Sequence, residues 1–276
     1  MDRKANYFFL LSLISVFVLE ANAGEHIRII TGAILAVIFC AAAFLFRWLS
    51  LSGTYAAIIS GTIVFGLGGI SSTAILLAFF ISSTLISKKY TRSLDETSHA
   101  YSEKIRRDGL QVWSNGFWFT LFLLLWFVFH NDAMLLGALG AIATATADTW
   151  ATELGSRRFS SQTYLISGFS KVAPGTDGGI SVPGTLAAMI GSLSISLISI
   201  YVFSLMGVLI IPILVAGFLG CLADSYFGAI FQQKEPAKNW PGILKGLNMK
   251  LDNNMINWIS SGFGALIAII LKLILI

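Results

Sequence analysis

The sequence predicts an all-α fold, a polytopic transmembrane helical bundle of about nine membrane segments with a cytoplasmic N-terminus. Hydrophobic residues make up 56% of the 276 positions and charged residues only 12%, with a mean hydropathy of +0.80. Apolar runs recur along the chain, and a helix needs about 20 such residues to cross a bilayer. Lysine and arginine are concentrated in the polar stretches between these runs. An ordinary soluble domain does not have this composition.

Nine hydrophobic segments follow one another along the chain. In order, they are residues 6–22, 29–46, 54–67, 72–87, 115–130, 133–150, 185–205, 207–224 and 256–276. The third and fourth are short and are joined by Gly66-Leu67-Gly68-Gly69, so they could instead form a hairpin that does not fully cross. Either arrangement leaves the later segments on the same sides of the membrane.

The first segment has two interpretations. Arg3 and Lys4 precede an apolar run, and Ala21-Asn22-Ala23 resembles a signal-peptidase site. The alternative is an uncleaved first span, which we favour. Both interpretations place the N-terminus inside.

Nine crossings place all but two of the 18 lysines and arginines on the cytoplasmic side, where the positive-inside rule expects them. The exceptions are Arg28 and Lys272. Three polar loops, residues 87–114, 153–184 and 231–255, then share one face. We predict a single integral domain of the cell (inner) membrane over residues 1–276, with peripheral N-terminal spans in 1–50 and a catalytic core in 87–276.

The basic isoelectric point of about 9.1 reflects these loops and not one soluble module, so the bilayer is the expected partner and nucleic acid is not. Cys40 and Cys221 lie inside apolar runs without a CxxC spacing, which is typical of core residues. No sequence feature indicates an oligomeric state.

The first polar loop ends in a basic cluster before the fifth segment. Arg107, Gln111 and Asn115 follow one another at helical spacing and would form one polar stripe entering the membrane. One interpretation is a phosphate clamp. The other is simple orientation by positive charge, with attraction to anionic lipid headgroups.

The second loop begins with Asp148, at the end of a segment rich in glycine and alanine that can pack closely against neighbours. An ionisable residue in a membrane segment is a functional hypothesis by default. Glu153 is five residues further on, about 140° around an ideal helix, so the two acids could share a metal only if the helix ended between them. Gly155 could end it. The alternative is that Asp148 only hydrogen-bonds a neighbouring helix.

A lysine and a glycine-rich run continue the second loop. Successive backbone N–H groups can turn towards one anion where glycine makes the backbone accessible. No GxxxxGK[ST] motif occurs, and an ordinary Pro/Gly turn is the alternative. The predicted phosphate-binding residues here are Lys171, Gly175, Thr176, Asp177, Gly178, Gly179 and Ser181.

The third loop follows Ala223-Asp224-Ser225-Tyr226, which echoes Ala147-Asp148-Thr149-Trp150. Two acids at the same membrane depth suit a divalent metal, since Mg²⁺ prefers oxygen ligands together with substrate phosphates. We therefore predict metal ligation by Asp148, Glu153 and Asp224. Gln232, Asn254 and Asn257 are predicted to contact substrate, although asparagine also caps helices.

The blocks ATADTWATELG, KVAPGTDGGIS, ADSYFGAIFQ and NNMIN resemble signature blocks of the integral-membrane phytyl-phosphate kinase-like (polyprenyl-phosphate kinase) family. That family is more distantly similar to the CTP-dependent dolichol and phytol kinases. This chain departs from the expected pattern at Asn253-Asn254, where an acid is expected nearby, and at Trp113.

The resemblance implies a kinase that converts an isoprenoid monophosphate into its diphosphate at the cytoplasmic face, with CTP as phosphoryl donor and Mg²⁺ as cofactor. The implied catalytic residues are Asp148, Glu153, Lys171 and Asp224. Nucleotide and acceptor phosphates would contact Arg107, Gln111, Asn115, Gln232, Asn254, Asn257 and the glycine-rich loop.

Three other functions remain open. One is an isoprenoid alcohol kinase of the same superfamily, another is an ion- or proton-coupled transporter using Asp148 and Asp224, and the third is a protein that binds or flips lipid phosphates. Polar residues concentrated on one side favour an enzyme over a transporter, which would need them towards both faces. The apolar segments carry no indication of isoprenoid chain length.

Overall fold

The computed structural model describes residues 2–91, 106–155, 162–232 and 250–275. These residues include eight α-helices: α1 (Asp2–Leu19), α2 (Ala23–Leu45), α3 (Leu51–Thr91), α4 (Gly109–Phe129), α5 (Asp132–Gly155), α6 (Val182–Phe203), α7 (Ile210–Phe231) and α8 (Asn253–Leu275). Between α5 and α6, the strands β1 (Thr163–Leu165), β2 (Lys171–Val172) and β3 (Gly179–Ile180) form an antiparallel sheet in the order β2-β1-β3. A 3₁₀ turn, Gly207–Leu209, precedes α7.

Six of the described helices are long and apolar enough to cross a membrane, judged by length and composition. They are α2, α3, α4, α6, α7 with its preceding turn, and α8. The all-helical membrane architecture is confirmed. That nine segments cross, with the N-terminus in the cytoplasm, stays a prediction, because α1 and α5 do not meet the same criterion.

Helix α3 reverses direction at Gly69, whose φ of 71° and ψ of −167° are not helical. Lys88 lies near the end of α3, and Phe46 lies just before α3 begins. The Lys88 Nζ donates to the Phe46 carbonyl at 3.0 Å. An unbroken helix of 41 residues would hold its ends about 60 Å apart. The two halves therefore fold back on each other at the positions of the third and fourth predicted segments, and whether they fully cross the membrane stays a prediction. Glycine permits this positive φ without strain.

Helix α5 is central, because it packs against α3, α4, α6, α7 and α8. Its small residues allow this: a Cβ on Gly140 would lie only 2.6 Å from Ala268 Cβ of α8. Residues 135–147 of α5 are all buried. The close packing brings the last turns of α5, including Asp148, against α7.

Helix α1 packs on α4. The Phe9 ring stacks on Trp113 at 4.6 Å, and Trp113 Nε1 donates to Asn6 Oδ1 at 2.6 Å. Trp113, where the sequence departs from the family pattern, thus packs α4 against α1. Because Asp2 also lies against Gly109, α1 and α4 begin at the same end of the bundle.

The same end receives the small sheet and the ends of several other helices. Ser87, near the end of α3, donates to Glu153 Oε1 near the end of α5 at 3.0 Å. The first residues of α6 contact the end of α5. We call this the loop end of the bundle. All three predicted polar loops attach here, although residues 92–105, 156–161 and 233–249, with Lys104, Arg157, Arg158, Lys234, Lys238 and Lys245, lie outside the described residues.

Candidate active site

Two aspartates from separate helices meet at the loop end. The carboxyl groups of Asp148 on α5 and Asp224 on α7 lie within hydrogen-bonding distance of each other. Ser260 Oγ donates to Asp224 Oδ2 at 2.7 Å, and the Asn257 amide, in the orientation that satisfies its hydrogen bonds, donates to the same oxygen at 3.1 Å. Two carboxyl groups this close repel each other unless a proton or a cation lies between them. The two similar sequence segments that carry Asp148 and Asp224 therefore bring these acids together in the structure.

A cavity of about 140 Å³ opens beside the pair. We call it the polar cleft. Of the residues predicted from the sequence, those that line it are Asp148, Gly175, Thr176, Asp177, Gly178, Gly179, Ser181, Asp224 and Gln232. Thr152, Thr163, Gly184, Thr185, Ser225 and Asn253 complete most of its polar wall.

The glycine-rich loop fits against α7 because of two backbone positions. Gly175 and Gly178 have φ of 83° and 74°, in the left-handed region that favours glycine. A Cβ on Gly178 would overlap the Cβ and backbone of Ala229, one turn beyond Asp224. Gly179 N donates to the Thr176 carbonyl at 2.8 Å and closes the turn. The loop backbone is thereby held at the mouth of the cleft.

The start of α6 forms another wall. Ser181 caps this helix, since its Oγ accepts from Gly184 N at 3.3 Å. A Cβ on Gly155 at the end of α5 would lie 2.7 Å from Gly184 Cα, so the two helix ends meet closely. The first N–H groups of a helix carry partial positive charge and favour anions. The polar cleft thus combines paired carboxyl groups with the positive end of a helix, an arrangement suited to a metal-bound phosphate.

Glu153 does not join the pair. Helix α5 continues unbroken to Gly155, so the condition under which Asp148 and Glu153 could share a metal is not met. Glu153 Oε1 accepts from Ser87 on α3, and its Oε2 is buried without a hydrogen-bond partner among the described groups. No cluster of three or more Asp, Glu, His or Cys suited to a metal occurs in the described part of the chain. The geometry supports two acidic ligands and not the predicted three.

Lys171 does not line the polar cleft either. In β1, Thr163 and Leu165 are buried and Tyr164 is exposed. Lys171 pairs directly with Tyr164, and side chains of paired residues point to the same face of a sheet. The Lys171 side chain therefore lies on the outer face of the sheet. A strand of only two residues is too short for its sequence pattern to indicate which face is buried.

Arg107, Gln111 and Asn115 do form a stripe, but it lines a second cavity of about 610 Å³ between α2, α3 and α4. We call this cavity the apolar groove. The Arg107 guanidinium lies 5.3 Å from the Phe79 ring centre and 5.7 Å from that of Phe80. Burial lowers the pKa of Arg107 to about 10, and the Glu153 carboxylate nearby opposes that shift.

Gln111 and Asn115 also have structural roles in α4. Gln111 Oε1 accepts from Asp108 N at 3.2 Å within a capping box. Asn115 Nδ2 donates to the Gln111 carbonyl at 3.0 Å. The amide groups thus hold the start of α4 beside Arg107.

Sequence reasoning missed part of the α8 contribution. Asn253 lines the polar cleft in place of Asn254, and Ser260 holds Asp224. Asn253, Asn257 and Ser260 are spaced at i, i+4 and i+7, so they form one polar face on a largely apolar helix. This spacing could have indicated from the sequence that Asn253 and Ser260 belong to the site.

Comparison with known proteins agrees with this architecture. The family model described as Integral membrane protein DUF92 matches residues 34–265. An uncharacterized membrane protein of Methanocaldococcus jannaschii is 31% identical over 230 residues, which cover 82% of this chain and 86% of that protein. No solved structure matches the chain.

Two relatives come from Arabidopsis thaliana. The protein PGR is 27% identical over 275 residues, covering 87% of this chain and 94% of that protein. The chloroplastic protein VTE6 is 26% identical over 229 residues, covering 81% of this chain and 65% of that protein. The chain therefore belongs to the DUF92 family of integral membrane proteins, which confirms its resemblance to the phytyl-phosphate kinase-like family.

Proposed function

We propose that this protein is a membrane kinase that transfers a phosphoryl group from CTP to an isoprenoid monophosphate and releases the diphosphate at the cytoplasmic face. The observation that carries the proposal is the Asp148–Asp224 pair beside the polar cleft. The relationship to VTE6 supports a kinase of prenyl phosphates in general terms.

The polar cleft fits Mg²⁺. Its donors are hard oxygens: the two carboxyl groups, with the side-chain amides of Gln232 and Asn253 beside them. Mg²⁺ in phosphoryl-transfer sites commonly takes one or two carboxylates together with substrate phosphates. Bound there, the ion would neutralise charge on the phosphate oxygens of the donor. Ser260 and Asn257 hold Asp224 in a fixed orientation, which keeps its carboxylate turned towards Asp148.

The chain's own groups would position the two substrates. Backbone N–H groups near Gly178 and the start of α6 would bind the donor phosphates. An oxygen of the acceptor phosphate forms the new bond to the γ-phosphorus of CTP, while the bond from that phosphorus to the bridging oxygen breaks and CDP leaves. Because this acceptor oxygen is already anionic, the reaction needs positioning and charge neutralisation more than a general base. His26 and His130 lie away from the loop end, and His99 lies outside the described residues.

The test uses protein purified into nanodiscs, labelled CTP, Mg²⁺, and a panel of prenyl monophosphates and prenyl alcohols. We expect labelled diphosphate from the monophosphates and its loss in Asp148→Asn. Asp132→Asn, at the other end of the same helix, is the matched control and should retain activity. Transfer only to the alcohols would replace this acceptor with a prenol, and transfer to no acceptor would overturn the proposal.

A further inference from the structure

The apolar groove has the form of a binding site for one extended chain. Along α2 its wall runs from Gly32 to Ala42, eleven residues and a rise of about 15 Å along the helix. Both halves of α3 and the start of α4 form the other walls. Two hydroxyls in the lining are already satisfied, since Ser60 shares a hydrogen bond with Thr120 and Thr73 donates to the Gly69 carbonyl. The other polar side chains that line the groove, Arg107, Gln111 and Asn115, lie towards its loop end.

That loop end is cationic and rich in donors. Leu76 and Phe80 line the groove, and Ser83 and Thr84 follow one turn further along α3, just beyond the residues that line it. The hydroxyls of Ser83 and Thr84 are buried and have no hydrogen-bond partner among the described groups. Buried polar groups are nearly always satisfied by protein, water or a ligand. The charged group that lines this end of the groove is the Arg107 guanidinium, which suits the oxygens of an anion.

The groove also opens sideways. Leu35, Ile38 and Ile70 line it and are among the exposed large hydrophobic residues, 46%, 61% and 77% exposed. In a membrane protein such side chains face lipid, so a hydrophobic tail can enter from the bilayer without crossing water.

The α4–α8 contact connects one wall of the groove to the residues beside the polar cleft. Ser261 Oγ donates to the Asn257 carbonyl at 2.7 Å and approaches the Ser114 carbonyl at 3.4 Å. Asn257 in turn donates to Asp224, while Ser114 is next in sequence to Asn115 of the groove. The wall of the groove at Asn115 is thus connected through α8 to the residues that hold the aspartate pair.

We propose that the apolar groove binds a single-chain isoprenoid monophosphate, with the tail along α2 and α3 and the phosphate at Arg107. This deepens the proposed function by locating its acceptor subsite, and it rests on that function for the identity of the acceptor. The charge at one end and the single channel favour one anionic chain over a two-chain phospholipid.

Binding is measured without nucleotide, using a labelled prenyl monophosphate and protein in nanodiscs. Ala42→Trp fills the groove, whereas Ala41→Trp, an exposed neighbour outside the lining, is its matched control. We expect Ala42→Trp to raise the Kd about tenfold or more and Ala41→Trp to leave it unchanged. Arg107→Gln should weaken the monophosphate about 10-fold to 100-fold but the corresponding alcohol little, with Arg106→Gln as control.

Each result decides the inference. Unchanged binding in Ala42→Trp would overturn it, as would equal competition by diacyl phosphatidic acid. If no phosphoryl transfer is found but Ala42→Trp still abolishes binding, the groove assignment stands and the kinase proposal falls. If transfer occurs and its KM for the lipid is unchanged in Ala42→Trp, the kinase proposal stands and the groove assignment falls.

Discussion

The two cavities at the loop end differ in almost every property. The polar cleft, about 140 Å³, has two carboxyl groups, a glycine-rich backbone and the start of a helix. The apolar groove, about 610 Å³, is lined by aliphatic and aromatic side chains with one cation at its end. Helix α5 relates them: because it does not break, Asp148 faces the cleft and Glu153, about 140° around the helix, faces α3 and Arg107. The proposed reaction between a soluble nucleotide and a membrane lipid would use one site of each kind.

The largest expected effect is that of Asp224→Asn, which should change the rate of phosphoryl transfer without changing lipid binding. Asp224→Asn should lower phosphoryl transfer about 1,000-fold or more, because the proposed Mg²⁺ would lose one of its two acidic ligands, a loss of about 4 kcal/mol in transition-state stabilisation. Prenyl monophosphate binding in the apolar groove should not change. Steady-state rates and lipid Kd measure the two effects. Asp252→Asn, which keeps a capping oxygen at the start of α8, serves as the control, and a matching loss there would show that the effect is not specific to the pair.

A pair of glycine substitutions tests how the polar cleft is closed. Gly175→Ala and Gly178→Ala each place a side chain in the left-handed region, at a cost of about 1 kcal/mol. Only Gly178→Ala also collides with Ala229, whereas nothing lies near Gly175. We expect CTP affinity to fall about 10-fold to 100-fold in Gly178→Ala and by less than about fivefold in Gly175→Ala. Equal losses of CTP affinity in the two variants would mean that backbone strain, and not contact with α7, is the reason glycine is needed at these positions.

Glu153→Gln tests which cavity this acid serves. We expect the lipid Kd to fall about threefold, because the phosphate no longer competes with a nearby carboxylate for Arg107, while the Mg²⁺ concentration for half-maximal activity stays unchanged. A large increase in the Mg²⁺ requirement would restore Glu153 as a metal ligand.

The pH dependence provides a second test of this variant. Burial lowers the pKa of Arg107 to about 10, so lipid binding that needs the charged guanidinium is present at neutral pH and is lost as the pH rises through that range. Glu153 opposes the shift, so its removal lowers the pKa of Arg107 further, and binding should be lost at a lower pH in the variant. An unchanged midpoint would contradict this coupling.

The smallest expected effect is that of Lys171→Ala. Its side chain lies on the outer face of the sheet, so the KM for CTP should change less than about twofold. A loss of tenfold or more would show that the loop rearranges to bring Lys171 to the donor phosphates, as the sequence alone had predicted. Thermal unfolding of the variant checks that the sheet remains folded.

Local sequence patterns predicted much of the site. The acids at the ends of two similar helices, the glycine-rich run and the Arg107 stripe could be recognised because each depends on residues a few positions apart. Glu153 and Lys171 were assigned to the metal and phosphate site on proximity in sequence. Whether they reach it depends on where α5 ends and on which face of a short strand is buried, and neither is encoded in spacing alone.

The sequence by itself determined the membrane class, the hairpin at Gly69 as an alternative, and the residues that carry charge at the loop end, because hydropathy and glycine act locally. Only the tertiary structure decided that Asp148 meets Asp224, that Ser260 and Asn257 hold the pair, and that Arg107 belongs to an apolar groove. These depend on how α3, α5, α7 and α8 pack, and close packing brings together residues more than 70 positions apart in the chain.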